Sequence, residues 1–162
     1  EIPLRLVGSE MCIRDSLYTA PLGVQILSLA ILIPICEELV FRGLLFKRLR
    51  MQGGFMQAAM YSAVVFGFLH MNLVQMIYGF LLGLMFAYIY EKYGSVKAPI
   101  AAHMAANLVS VLGTNYNWFT WMMEDPMRIG VITVICAAAA ATMFVFMQRI
   151  EEKPDKIMLQ NC

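Results

Sequence analysis

Charge is scarce in this chain, and histidine is scarcer. Of 162 residues only 14% are Asp, Glu, Lys or Arg, and the two histidines are His70 and His103. A soluble domain of this size would be about 45–50% apolar. Here 60% of residues are hydrophobic and the mean hydropathy is +0.69. That excludes an ordinary soluble domain and predicts an all-α, polytopic transmembrane helical bundle in one domain. The four cysteines, Cys12, Cys36, Cys136 and Cys162, have no CxxC spacing, so neither a disulfide framework nor a zinc knuckle is implied. The HExxH arrangement of helical zinc proteases is absent. A net charge of +1 gives no sign of a nucleic-acid partner. No internal repeat is visible. Methionine, by contrast, is abundant at 14 residues, which suits adaptable apolar packing.

The first sixteen residues stand apart. Glu1 to Ser16 are mixed and polar, without an initiator methionine or the basic start and apolar centre of a signal peptide. Leu6 to Ser16, LVGSEMCIRDS, resembles the translation of a sequencing-library transposase adapter. Residues 1–16 are therefore expected to be foreign to the protein, with native upstream spans missing. Residues 17–150 are expected to form the membrane domain, and 151–162 a charged cytoplasmic tail.

Five spans are expected. The first starts near Leu17 and runs through Pro34, whose missing N–H breaks one helical hydrogen bond just before Glu37-Glu38. It continues to Arg50, and Gly53-Gly54 marks a turn. The second covers about Met56 to Met71. The third covers about Leu73 to Tyr90 and holds Gly79 and Gly83 at GxxxG spacing, which permits close helix approach. The fourth covers about Pro99 to Leu112, and the fifth about Ile129 to Met147. Between the last two, a loop with Tyr116, Trp118 and Trp121 suits a membrane–water interface. Lys47, Arg48 and Arg50, then Lys92 and Lys97, then Arg149, Lys153 and Lys156 fall on one side if the spans alternate. That side is expected to be cytoplasmic.

Glu37 precedes Arg50 by 13 residues and His70 follows Gln57 by 13 residues, so the first hairpin puts both groups about 20 Å from its turn. Ionisable groups at such depth are costly and usually functional. Glu37, Glu38, Arg42, His70, His103 and Asn107 are the candidates for a buried catalytic centre. Peptide hydrolysis needs an activated water and donors for the oxyanion. A carboxylate with little water around it is a better base than a solvated one. Glu37 with His70 could hold and deprotonate water. His103 and Asn107, four apart, share a helix face and could donate to an oxyanion. Glu38 and Arg42, also four apart, are expected to pair and to orient Glu37. Glu37, His70 and His103 also form an acceptable zinc set, so Zn2+ and a metal-free mechanism both fit the residues.

Three segments carry these groups in order: EExxxR at Glu37–Arg42, FxxxH at Phe66–His70 and HxxxN at His103–Asn107. They resemble the motifs of the CPBP family of intramembrane proteases, which covers CAAX proteases and bacteriocin-processing enzymes and includes the type II CAAX prenyl endopeptidases. The resemblance covers about residues 17–150. It implies an integral membrane endopeptidase, often labelled a metalloprotease. The first glutamate and first histidine would then act on water, and the second histidine and asparagine on the oxyanion. Its partners would be the lipid bilayer and a peptide or protein substrate, prenylated CAAX tails included. The cavity would open to the cytoplasm of a bacterial cell membrane. Two other classes stay open: a non-catalytic scaffold or bacteriocin-immunity protein, and a proton-coupled transporter.

Overall fold

The structure, a computed structural model, describes residues 19–70 and 72–149. Residues 1–16, expected to be foreign to the protein, and the tail 151–162 lie outside the described residues, and so do Cys12 and Cys162. Six helices follow in order: α1 Leu22–Gln52, α2 Phe55–Phe68, α3 Leu73–Tyr93, α4 Lys97–Asn115, α5 Trp118–Met123 and α6 Pro126–Gln148. No strand occurs among the described residues, as the composition requires.

Helix α1 is continuous but not uniformly wound. Ile26–Leu32 and Leu39–Phe46 are π-helical, and the α-wound stretch Ile33–Glu38 lies between them. Pro34 sits at the start of that stretch. The break expected there is thus accommodated by wider winding, one of the usual ways a helix absorbs a missing rung. Glu37 and Glu38 close the α-wound stretch, and Arg42 lies within the second π segment.

Helix α2 packs along α3 through small residues. A Cβ on Gly83 would lie 3.0 Å from Ala63 Cα, and one on Gly79 would lie 3.5 Å from Gly67 Cα. Both glycines of the GxxxG pair therefore serve the interface. Gly67 has the least room, since a Cβ there would lie 2.7 Å from the Met76 carbonyl oxygen. Backbone must then move, so Gly67→Ala is expected to destabilise by about 1–3 kcal/mol. A lowered thermal unfolding midpoint in detergent checks this, and an unchanged midpoint counts against the close approach. At the Gly53 end, Phe46, Ala58, Ala59, Ala87 and Tyr90 form a buried cluster, with Val96 packed on it. Arg50 bridges to Glu91 there at 2.9 Å. Helix α4 lies against the first half of α1, where Asn115 donates to Gln25 Oε1 at 2.7 Å.

The helices of the five expected spans differ in length and hydropathy. Helices α1, α3 and α6 are long and apolar enough to cross a membrane, and α2 is apolar but has only 14 residues. At 1.5 Å per residue α2 covers about 21 Å, less than the hydrocarbon core of about 30 Å. It stops at Phe68, so His70 lies in the turn before α3 rather than within a span. Asn72 caps α3 by accepting from the Val74 and Gln75 amides. Helix α4, at 19 residues, is diluted in hydropathy by His103, Asn107, Ser110 and Asn115. Two boundaries also move. Helix α3 continues past Tyr90 to Tyr93, where Gly94 at φ 59 caps it in the left-handed region. Part of the aromatic loop coils into α5. Helix α6 buries no residue, and Phe144 meets Tyr88 at 5.7 Å.

Candidate active site

All six expected residues converge on one place, drawn from α1, the α2–α3 turn and α4. Its floor is a buried charge network. Glu38 and Arg42 have no solvent exposure, and Arg42 Nη1 donates to Glu38 Oε1 at 2.9 Å. The other terminal nitrogen, Nη2, donates to the Gly83 carbonyl at 2.9 Å, which ties α1 to α3. A glycine is needed at 83 because a Cβ would meet Ala63 on one side and Arg42 Nη2, at 3.4 Å, on the other. The guanidinium lies over Phe66 at 4.7 Å and over Phe86 at 5.3 Å, so two ring faces supply attraction where water cannot.

Glu38 has a second partner. His103 Nδ1 lies 2.9 Å from the same oxygen, Oε1. A carboxylate paired with Arg42 can only accept, so Nδ1–H donates and Nε2 is left to face the site. Nε2 is 3.5 Å from Glu37 Oε2. The expected Glu38–Arg42 pair is therefore present, and the side chain it holds in place is His103 more directly than Glu37. The imidazole is further fixed by stacking on Phe86 at 4.8 Å and by the edge of Phe66 at 5.9 Å. Phe86 carries no motif, and on the sequence it is one apolar residue among many in α3. The sequence offered no signal for it.

His70 is held differently. Its Nδ1 contacts the Phe66 carbonyl at 3.0 Å, and a carbonyl also only accepts. Its Nε2 thus carries the lone pair in the neutral ring. The ring also meets Phe66 edge-on at 5.2 Å. Phe66 so touches Phe41, His70, His103 and Arg42, which explains a phenylalanine in the second motif by packing alone.

Above the network lies a cavity of about 220 Å3 lined by Glu37, His70, His103 and Asn107. Glu37 is the exposed member of the acidic pair, its side chain 29% accessible against 0% for Glu38. Glu37 pairs with His103, while His70 shares the cavity with it. Asn107 Nδ2 donates to the Leu29 carbonyl at 2.9 Å, which leaves one amide hydrogen for another acceptor. Gln75, Tyr78 and Ser110 also line the cavity, and sequence reasoning did not single them out. With Leu29 they lie further from the Arg50–Glu91 end than Glu37 does, so the cavity extends away from the basic end of the bundle.

The donor set Glu37, His70 and His103 has the chemistry zinc takes, with both imidazoles held through Nδ1 in the usual way. As placed, no three His, Cys, Asp or Glu among the described residues close into a group that could hold a metal ion.

Comparison with known proteins places the same residues inside the matched region. The family model described as type II CAAX prenyl endopeptidase Rce1-like matches residues 19–109, more than half of the chain. A curated Bacillus subtilis (strain 168) relative, named "Putative membrane peptidase YdiL", is 32% identical over 100 residues. Those residues are 62% of this chain and 40% of the relative, so the chain spans well under half of that protein's length. No solved structure matches.

Proposed function

Because the chain belongs to the Rce1-like family of type II CAAX prenyl endopeptidases, we propose that it is an intramembrane endopeptidase that hydrolyses peptide bonds with a water activated by Glu37 and His70. The observation that carries this is the cavity where Glu37, His70, His103 and Asn107 meet above a fully buried Glu38–Arg42 pair. Glu37 takes a proton from the water, and the hydroxide adds to the scissile carbonyl. His70 Nε2 accepts a hydrogen bond from that water and keeps it oriented. The oxyanion accepts from the remaining Asn107 hydrogen. His103 donates from Nε2 when it carries both ring protons, and it then lies between the carboxylates of Glu37 and Glu38. Glu37 returns its proton to the leaving amine.

The substrate is a membrane-associated peptide or protein, with prenylated CAAX tails as the class the family name suggests. The basic ends of α1 and α3 support a cytoplasmic location for the Gly53 end of the bundle. The protein then belongs in a bacterial cell membrane, as its B. subtilis relative suggests. The direction of the cavity favours entry of substrate at bilayer depth over direct entry from the cytoplasm. Should the enzyme use zinc, Glu37, His70 and His103 are the residues to bind it, and it would polarise the water they share.

The test is quantitative mapping of protein termini in membranes of cells carrying the intact gene, wild type against Glu37→Gln at matched abundance. New termini confined to wild type are expected, and their sequences identify the substrate class. Identical termini in both strains overturn the protease reading and leave a partner-binding role. A zinc chelator added to the purified enzyme decides the cofactor: unchanged turnover means a glutamate-based enzyme, and loss restored by zinc means a metalloenzyme.

A further inference from the structure

We infer that Pro34 is a positioning residue: by lacking an N–H it frees the Leu29 carbonyl, and that carbonyl holds the Asn107 amide in the cavity. The winding of α1 carries the argument. Across Ile26–Leu32 the hydrogen bonds reach back five residues, and the Ile33 N–H ends on the Ser28 carbonyl. The next rung of that ladder would run from residue 34 to Leu29. Residue 34 is proline, so this rung cannot form. The Leu29 carbonyl would then be a partly buried acceptor without a helical partner, which is costly. Asn107 Nδ2 meets it at 2.9 Å from the facing helix.

The contact works in both directions. Asn107 completes the hydrogen bonding of α1, and the carbonyl fixes one hydrogen of the amide. Its second hydrogen and its Oδ1 make no hydrogen bond among the described residues, and the side chain lines the cavity. A terminal amide on a free χ2 would otherwise sample a broad range of orientations. Pro34 itself is fully buried and is not among the residues that line the cavity, so its influence on the amide is expected to run through the Leu29 carbonyl. The tetrahedral fit of an oxyanion donor depends on such pre-set orientation.

Pro34→Ala restores the N–H and should keep the helix, since alanine is the best helix former and proline the worst. The restored amide competes for the Leu29 carbonyl and releases Asn107. Pro34→Ser restores the same N–H with a different side chain and is the second variant. The first readout is independent of activity. In the full-length protein labelled with nitrogen-15 at asparagine, the Asn107 side-chain amide is assigned by its loss in Asn107→Ala. Pro34→Ala and Pro34→Ser are both expected to shift that resonance and to speed its exchange with solvent. Unchanged shift and protection in both variants overturn the inference.

The kinetic arm rests on the protease reading above. There, kcat should fall about tenfold in either Pro34 variant with KM little changed. The double variant Pro34→Ala/Asn107→Ala should be no slower than Asn107→Ala alone, because both act through one side chain. Multiplied losses would overturn the inference even if each single variant is slow. If the wild type cleaves nothing, the protease reading fails, and the amide resonance still decides the role of Pro34.

Discussion

Glu37→Gln is expected to lower kcat by about a hundred- to ten-thousand-fold, the usual worth of a positioned general base, without loss of folded protein. The amide keeps the shape of the carboxylate and its contact with His103. It cannot accept the proton of water. Glu37 is partly accessible from the cavity, so neutralising it strands no buried charge. Purified variant and wild type, compared at equal concentration and equal thermal midpoint, check both halves. A variant that retains turnover would remove Glu37 from the chemistry. One that loses turnover together with its fold would assign it a structural role.

The opposite outcome is expected five residues along. Arg42→Leu should destabilise by about 3–5 kcal/mol, because it leaves the Glu38 carboxylate buried with no cation. It also deletes the tie to the Gly83 carbonyl and the contacts with the Phe66 and Phe86 rings. A fall in membrane abundance and in the unfolding midpoint is the measurement. Adding Glu38→Leu to Arg42→Leu should recover most of the stability, since an apolar replacement of both partners removes the stranded charge. Activity should not recover, because His103 Nδ1 then lacks its acceptor. If Arg42→Leu folds as well as wild type, the buried network contributes less than its geometry implies. Two motif residues on one helix so separate into one that reacts and one that holds.

Much of this was legible in the chain. Charged and imidazole groups in a strongly apolar sequence have few reasons to be there, which singled out Glu37, Glu38, Arg42, His70 and His103, and Asn107 followed from its place one helical turn after His103; the fold brings the six together. The Gly79–Gly83 pair also announced the close α2–α3 contact, because glycine spacing reports backbone approach directly. Other features left no such trace. Lipid and protein interior are equally apolar, so hydropathy could not tell that α6 buries nothing while Phe86 on α3 is fully buried against His103. The end of α2 was hidden because apolar residues continue past Phe68, with Asn72 alone marking the cap of α3. The π winding of α1 followed from Pro34 only in part. Proline announces a lost hydrogen bond, and the facing helix decides how that loss is met.

The short reach of α2 bears on a difficulty that every hydrolase in a bilayer faces, which is how its second reactant arrives. Hydrocarbon holds almost no water, yet each turnover consumes a molecule of it. Irregular backbone at membrane depth persists only where it is buried in protein or lines a wet space. Leu69 and His70, just past the end of α2, lie in such a place, since α2 stops after 14 residues and His70 lines the cavity. Gln75 in the cavity lining and the exposed Asn72 beside it put polar side chains at that end of the bundle. The short reach of α2 so leaves polar groups at a depth that a helix of full span would fill with apolar ones, the setting that the proposed hydrolysis needs.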